Sequence, residues 1–173
     1  MDREKYSFLM IDYKMPKIIK DIQKEIKDYD LYYSDDEPLD YYGKEEECHV
    51  TLVPCLDNDV KILDGLKKHL KPIDEYQAII TDVSLFENDD YDVLKCDIHS
   101  LALENTNKEI TDEYETHSEY KAYHPHMTIA YLKKGCGKKY TKDVLDKLVP
   151  VEPVQFVFSY SEGGEDKKIK FKS

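Results

Sequence analysis

The chain writes the same short word twice, 77 residues apart: His49-Val50-Thr51 within CHVTLV, and His126-Met127-Thr128 within HMTIAYL. Both sit in apolar, strand-like runs. Residues i and i+2 of a strand share a face, so each word sets an imidazole beside a hydroxyl and turns an apolar residue the other way. The same polar pair in equivalent places of one chain points to a single pocket with approximate two-fold symmetry.

The elements around the words repeat as well. Tyr6 to Tyr13 reads as a strand, and Pro16 opens a helix with Ile18, Ile22, Ile26 and Tyr29 on one stripe. An acidic, tyrosine-rich loop from Asp30 to Glu47 leads to a strand His49 to Val53, punctuated by Pro54. Asp57 or Asn58 then caps a helix carrying Val60, Leu63, Leu66 and Leu70, which Pro72 ends. A strand Gln77 to Phe86 turns at residues 87–90 into a strand Tyr91 to Ile98, a hairpin pattern.

Ser100 caps a helix running into the 110s, a polar loop reaches His124, and Met127 to Leu132 is the second word's strand. Thr141 is expected to cap a short helix with Val144, Leu145 and Leu148. Gln155 to Tyr160 is again a strand, and Gly163-Gly164 turns the chain into a last edge strand near Ile169 to Phe171. Strand, helix, loop, His-word strand, helix, strand thus occurs in residues 1–86 and again in 91–173, a degenerate duplication. With no Pro-, Gly- or Ser-rich linker between the halves, residues 1–173 are expected to pack as one domain of two α+β lobes about a central groove.

Composition narrows the partners. The chain is 40% apolar, has 15 tyrosines and no tryptophan, and can bury a sizeable core. Thirty-seven acidic residues against 25 basic ones leave a formal net charge of −12, which repels a long polyanion. A small nucleotide suits this balance better than duplex DNA or long RNA. Cys48, Cys55, Cys96 and Cys136 form no CxxC pair and read as free thiols. The apolar run at the N-terminus is too short for a signal core or a membrane span, so a cytoplasmic location without membrane contact is expected.

Paired histidines can hand a proton to and from a reacting oxygen, and paired threonine hydroxyls can hold the non-bridging oxygens of a phosphate. His49, Thr51, His126 and Thr128 are therefore the candidate catalytic residues. His124-Pro125-His126 also has a spacing that can place two imidazoles on one metal, but no third ligand stands at a recognised spacing. No metal and no cofactor is expected. His69, His99 and His117 carry no partnering signal.

The two His-apolar-Thr-apolar words, His49-Val50-Thr51-Leu52 and His126-Met127-Thr128-Ile129, resemble those of the 2H phosphoesterase superfamily. That resemblance implies a bilobal, pseudo-duplicated LigT-like fold of α+β class, with two antiparallel sheets lining a central groove and helices outside. The stretches SLFENDDYDVLKCDI and IAYLKKGCGKKY look like bacteriophage members, some of which destroy cyclic di- and trinucleotide signals of bacterial immunity as anti-CBASS phosphodiesterases. A metal-independent phosphodiesterase is implied. One histidine would take the proton of a ribose hydroxyl that attacks phosphorus, and the other would protonate the leaving oxygen.

Tyr13 closes the first strand and is a candidate for stacking on a base. Tyr131 and Lys133, within and beyond the second word's strand, are further candidate substrate contacts, with Lys134 beside them. Tyr41, Tyr42 and Lys44 lie in the long loop, where they could cover a bound nucleotide, and His124 could touch substrate. The expected partner is a small nucleotide, either a cyclic di- or trinucleotide or a short oligonucleotide, bound by a monomer. RNA ends, 2'-5' oligonucleotides and 2',3'-cyclic phosphates are alternative substrates. A non-catalytic nucleotide-sequestering binder is the competing class.

Overall fold

The computed structural model describes residues 3–143 and 145–172. Among these, eight strands form two antiparallel four-stranded sheets. The strands are β1 (Tyr6–Tyr13), β2 (His49–Asp57), β3 (Ala78–Glu87), β4 (Tyr91–His99), β5 (His126–Lys133), β6 (Val149–Val151), β7 (Pro153–Glu162) and β8 (Glu165–Phe171). The helices are α1 (Lys17–Glu25), α2 (Leu63–Lys67) and α3 (Leu101–Glu113). No described helix is long and apolar enough to cross a membrane.

The first sheet runs β2-β1-β7-β8 and the second β5-β4-β3-β6. The element order repeats through the second His strand, after which the first half has α2 and the second, among the described residues, only a 3-10 turn, and the sheets are not built one from each half. β3, the third strand of the first half, pairs with β4; its counterpart β7, from the second half, pairs with β1. Each half thus completes the other's sheet, the first lending β3 and the second β7 and β8. Residues 1–86 and 91–173 therefore do not form separate lobes.

Ile22 and Ile26 of the expected stripe are buried, with Ile19 and Gln23 beside them; Ile18 is only partly buried, and Tyr29 lies beyond the end of α1 and is exposed. β2 does not stop at Pro54. It continues to Asp57 because it is an edge strand, where a missing N–H faces outward. Pro54 and Cys55 lie together opposite Phe8 as a bulge, with Cys55 at φ 53. Asp59, not Asp57 or Asn58, caps the next turn, accepting from the Lys61 N–H at 2.9 Å.

Ser100 caps α3 as expected, accepting from the Leu103 N–H at 3.3 Å. The Glu87–Tyr91 hairpin and the glycine turn at Gly163-Gly164 are both present, and both glycines adopt positive φ. Of the helix expected from Thr141, Val144 lies outside the described residues. Leu145 and Leu148 are not helical, and a single 3-10 turn spans Lys138–Tyr140 just before them.

The core lies between sheets and helices: Leu9, Ile11, Val50, Leu52, Ile80, Leu94, Met127, Ile129 and Phe156 are fully buried. α1 packs on β5 and α3 on β2, so each helix also covers the other half's His strand.

Candidate active site

Both His words sit on strands that edge their sheets where the sheets meet. β2 burial alternates, with Val50 and Leu52 inward and His49 and Thr51 half-exposed; β5 does the same with Met127 and Ile129 inward and His126 and Thr128 half-exposed. The strands are tied across the seam. The Cys48 thiol approaches the Met127 sulfur at 3.4 Å, and the Tyr123 hydroxyl donates to the Thr51 carbonyl at 2.9 Å.

The two imidazoles lie within electrostatic reach of each other: positive charge on His49 opposes a proton on His126. Burial is the main influence on both and holds each below the ordinary histidine value. His126 is oriented by its Nδ1, which pairs with the His124 carbonyl at 2.9 Å, and by the edge of Phe86, whose ring centroid lies 4.9 Å away. The His-x-His spacing thus places a backbone acceptor behind the ring. Among the described residues no group of three or more His, Cys, Asp or Glu is arranged to hold a metal ion.

The frame around the words is two-fold symmetric in detail. Asp12 stands opposite His49 on β1, and Asp97 opposite His126 on β4. Immediately after each threonine the register slips by one residue, at Leu52 against β1 and at Ile129 against β4. Such a bulge releases backbone groups from the ladder. Each freed carbonyl is taken up by a side-chain amide of the helix behind it: Asn107 Nδ2 of α3 donates to Leu52 O at 2.8 Å, and Gln23 Nε2 of α1 donates to Ile129 O at 3.0 Å.

Tyr13 does not reach the groove. It is 4% exposed, on the face of β1 opposite Asp12, and its hydroxyl donates to the Tyr76 carbonyl at 2.6 Å. A ring buried there cannot stack on a base; its role is in the core. Alternation along β4 places Tyr91 and Val93 on the face of Lys95, and the bulge at Ile129 brings Tyr131, opposite Val93, to the same side as Thr128. Lys133 shares that side at the exposed strand end, whereas Lys134 lies 3.6 Å from the buried Asp92 carboxylate.

The long loop is fastened to β5 at both ends. Tyr32 N–H donates to Tyr131 O, Tyr131 N–H to Gly43 O, and Glu45 N–H to Ile129 O, at 2.8–2.9 Å. Tyr42 lies at the centre of the cluster this creates, its ring 4.6–5.3 Å from those of Tyr32, Tyr41, Tyr91 and Tyr131. Lys44 bridges Ala130 through the backbone. His124 is exposed beside His126.

Sequence reading missed Gln23, Asn107, Asp12, Asp97, Lys95 and Phe86. Lys95 and Asp97 carry a visible signal, being charges inside the otherwise apolar run VLKCDI. Gln23 and Asn107 carry none, because their partners are backbone carbonyls outside their own helices, those of Glu45 and Ile129 for Gln23 and of Leu52 for Asn107.

A family model for the 2'-5' RNA ligase superfamily matches residues 18–159. The chain belongs to the 2'-5' RNA ligase superfamily, the 2H phosphoesterases. Its fold is that of Usb1 from Kluyveromyces marxianus, at TM-score 0.54 and 8% identity, with 98% of this chain and 99% of that chain covered. LigT from E. coli in complex with 3'-AMP aligns at TM-score 0.50 and 12% identity, over 97% of this chain and 95% of that one. LigT in its apo form aligns over the same shares at TM-score 0.50 and 13% identity. No curated protein sequence matches the chain. Family and fold are consistent with phosphodiester hydrolysis or ligation.

Proposed function

We propose that this 2H superfamily member is a metal-independent phosphodiesterase acting on small nucleotides, foremost the cyclic oligonucleotide second messengers of bacterial anti-phage immunity. One observation carries the proposal: two imidazoles on facing strands, close enough to feel each other's charge, each with a threonine hydroxyl two residues on and on the same face. A proton donor and a proton acceptor on either side of one phosphorus are what in-line transfer requires.

One histidine accepts the proton of the ribose hydroxyl next to the scissile phosphate, and that oxygen attacks phosphorus. The other histidine donates its proton to the departing oxygen, leaving a 2',3'-cyclic phosphate. Onward hydrolysis reverses the roles, with water as nucleophile. Thr51 and Thr128 donate to the non-bridging oxygens as charge builds on them. Tyr131, Tyr91 and Tyr42 offer aromatic surface for a base on the side of Thr128, and Lys133 a cation at its rim.

A nucleotide is also what LigT carries in its complex with 3'-AMP. The net charge of −12 favours a short, compact anion over a long strand. The protein is taken to act as a single domain and a monomer in the cytoplasm. The test is incubation with cyclic di- and trinucleotides, linear 2'-5' and 3'-5' oligomers and 2',3'-cyclic nucleotides, all with EDTA present. Product masses identify substrate and end chemistry together. Cleavage of RNA ends or 2'-5' linkages alone reassigns the substrate, and tight binding without turnover makes the protein a nucleotide sponge.

A further inference from the structure

The two halves of the site correspond residue for residue until the neighbouring strand is reached. On β1, Met10 stands opposite Thr51 and Asp12 opposite His49; on β4, Lys95 stands opposite Thr128 and Asp97 opposite His126. Aspartate answers aspartate, but Lys95 answers Met10. The lysine is 5% exposed, and burying an ammonium is costly unless it is paired. It donates to Asp97 Oδ1 at 2.5 Å and to Ser84 Oγ at 2.7 Å, and Ser84 in turn donates to Asp97 Oδ2 at 2.7 Å. Its Nζ also lies 4.3 Å from the centroid of Phe86, the ring that meets His126 edge to face at 84°.

We propose that Lys95 is the positioning residue that divides the labour of the two histidines, holding His126 neutral as the general base and leaving His49 to carry the proton as the general acid. The proposal rests on the phosphodiesterase reading above.

The charges around each ring differ in sign. His126 faces Lys95 and Asp97 from β4, His49 from β2 and the His124 carbonyl behind it; beyond burial, the cations Lys95 and protonated His49 oppose a proton on it, while the His124 carbonyl and Asp97 favour one. His49 faces Glu45 and Glu47 from the loop before it, Asp12 from β1 and Lys168 from β8, three carboxylates against one ammonium. On this proposal the first proton of the pair sits on His49, where it opposes a second on His126. With Nδ1–H donated to the His124 carbonyl, neutral His126 presents Nε2 as its free lone pair. Lys95 is spent on Asp97, Ser84 and Phe86, and of these Phe86 meets the ring it biases.

The decisive measurement is a histidine-ring NMR titration of the intact protein without substrate, with resonances assigned from His49→Ala and His126→Ala. His126 should titrate below His49. In Lys95→Met, which installs the side chain found at the symmetry-related position, His126 should move up by roughly half a pH unit or more while His49 stays. The acidic limb of kcat/KM should move up with it and KM should change little. Lys95→Arg, which keeps the charge, should leave that limb in place. His126 titrating above His49 in the unmodified protein overturns the proposal, as does an acidic limb that Lys95→Met leaves unmoved. If Lys95→Met does not fold, the order in the unmodified protein still decides. Absence of turnover on every nucleotide overturns the phosphodiesterase reading instead, and the titration separates the two failures.

Discussion

Asn107 donates its side-chain amide to the carbonyl of Leu52 at 2.8 Å, although the two are 55 residues apart and belong to different halves of the repeat. Gln23 and Ile129 form the mirror-image bond. Both acceptors directly follow a catalytic-candidate threonine, so the helices fix the bulges from which the hydroxyls project. Asn107→Ala leaves a buried carbonyl without its donor and is expected to cost about 1–3 kcal/mol. It should also lower kcat by displacing Thr51. Chemical denaturation and single-turnover rates check both, and an unchanged rate at reduced stability would confine Asn107 to a structural role.

His49→Ala and His126→Ala are each expected to lower kcat by roughly 10²–10⁴-fold, the usual share of general acid–base catalysis. Ligand affinity and melting temperature should stay near those of the parent. The double variant should be hardly slower than either single one, since the two rings act as a unit. Additive losses would argue that the histidines serve separate steps.

Stability should fall as the medium turns acidic. The imidazoles of His49 and His126 are both held by burial below the ordinary histidine value, so between the folded and unfolded values the unfolded chain binds more protons. Stability from this source is complete above about pH 6.5 and drains away below it. Urea midpoints measured from pH 8 to pH 5 should decline, and the decline should be shallower in His49→Ala and in His126→Ala. Equal slopes in all three proteins would contradict a burial that disfavours the protonated form of these rings.

Tyr13→Phe separates a core tyrosine from a substrate contact. Loss of the hydroxyl leaves the Tyr76 carbonyl unpaired and should cost about 1–3 kcal/mol. Both kcat and KM should hardly change. A large rise in KM at unaltered stability would return the residue to the groove.

The hairpin at 87–90, the Ser100 cap and the two His strands were legible because each is dictated by local chemistry: turn residues, a hydroxyl before a helix, period-two alternation. Pro54 misled because a proline stops a central strand but not the free edge of an outer one, and no sequence signal shows that β2 is outermost. Tyr13 misled for a related reason. Being at the end of a strand fixes its distance from the seam but not its side, and the side follows from Asp12 pairing with His49. The site's words could be read directly, whereas their supports could not. Gln23 and Asn107 look like ordinary surface amides until a bulge, itself invisible in sequence, frees the carbonyls they meet. The Thr141 helix failed where Gly135 and Gly137 precede it, the N–H groups of both bonded to Asp92 in a tight turn.

β3 and β7 each complete the sheet begun by the other half, so the molecule resembles a clasp in which either arm keeps the other shut. Severing the chain at the Glu87–Tyr91 hairpin would strip β7 and β8 from one sheet and β3 from the other, and neither fragment would retain a finished wall. Such mutual dependence leaves the two His words little freedom to wander apart, and it confers on a chain of this size the rigidity that the proposed two-sided proton transfer demands.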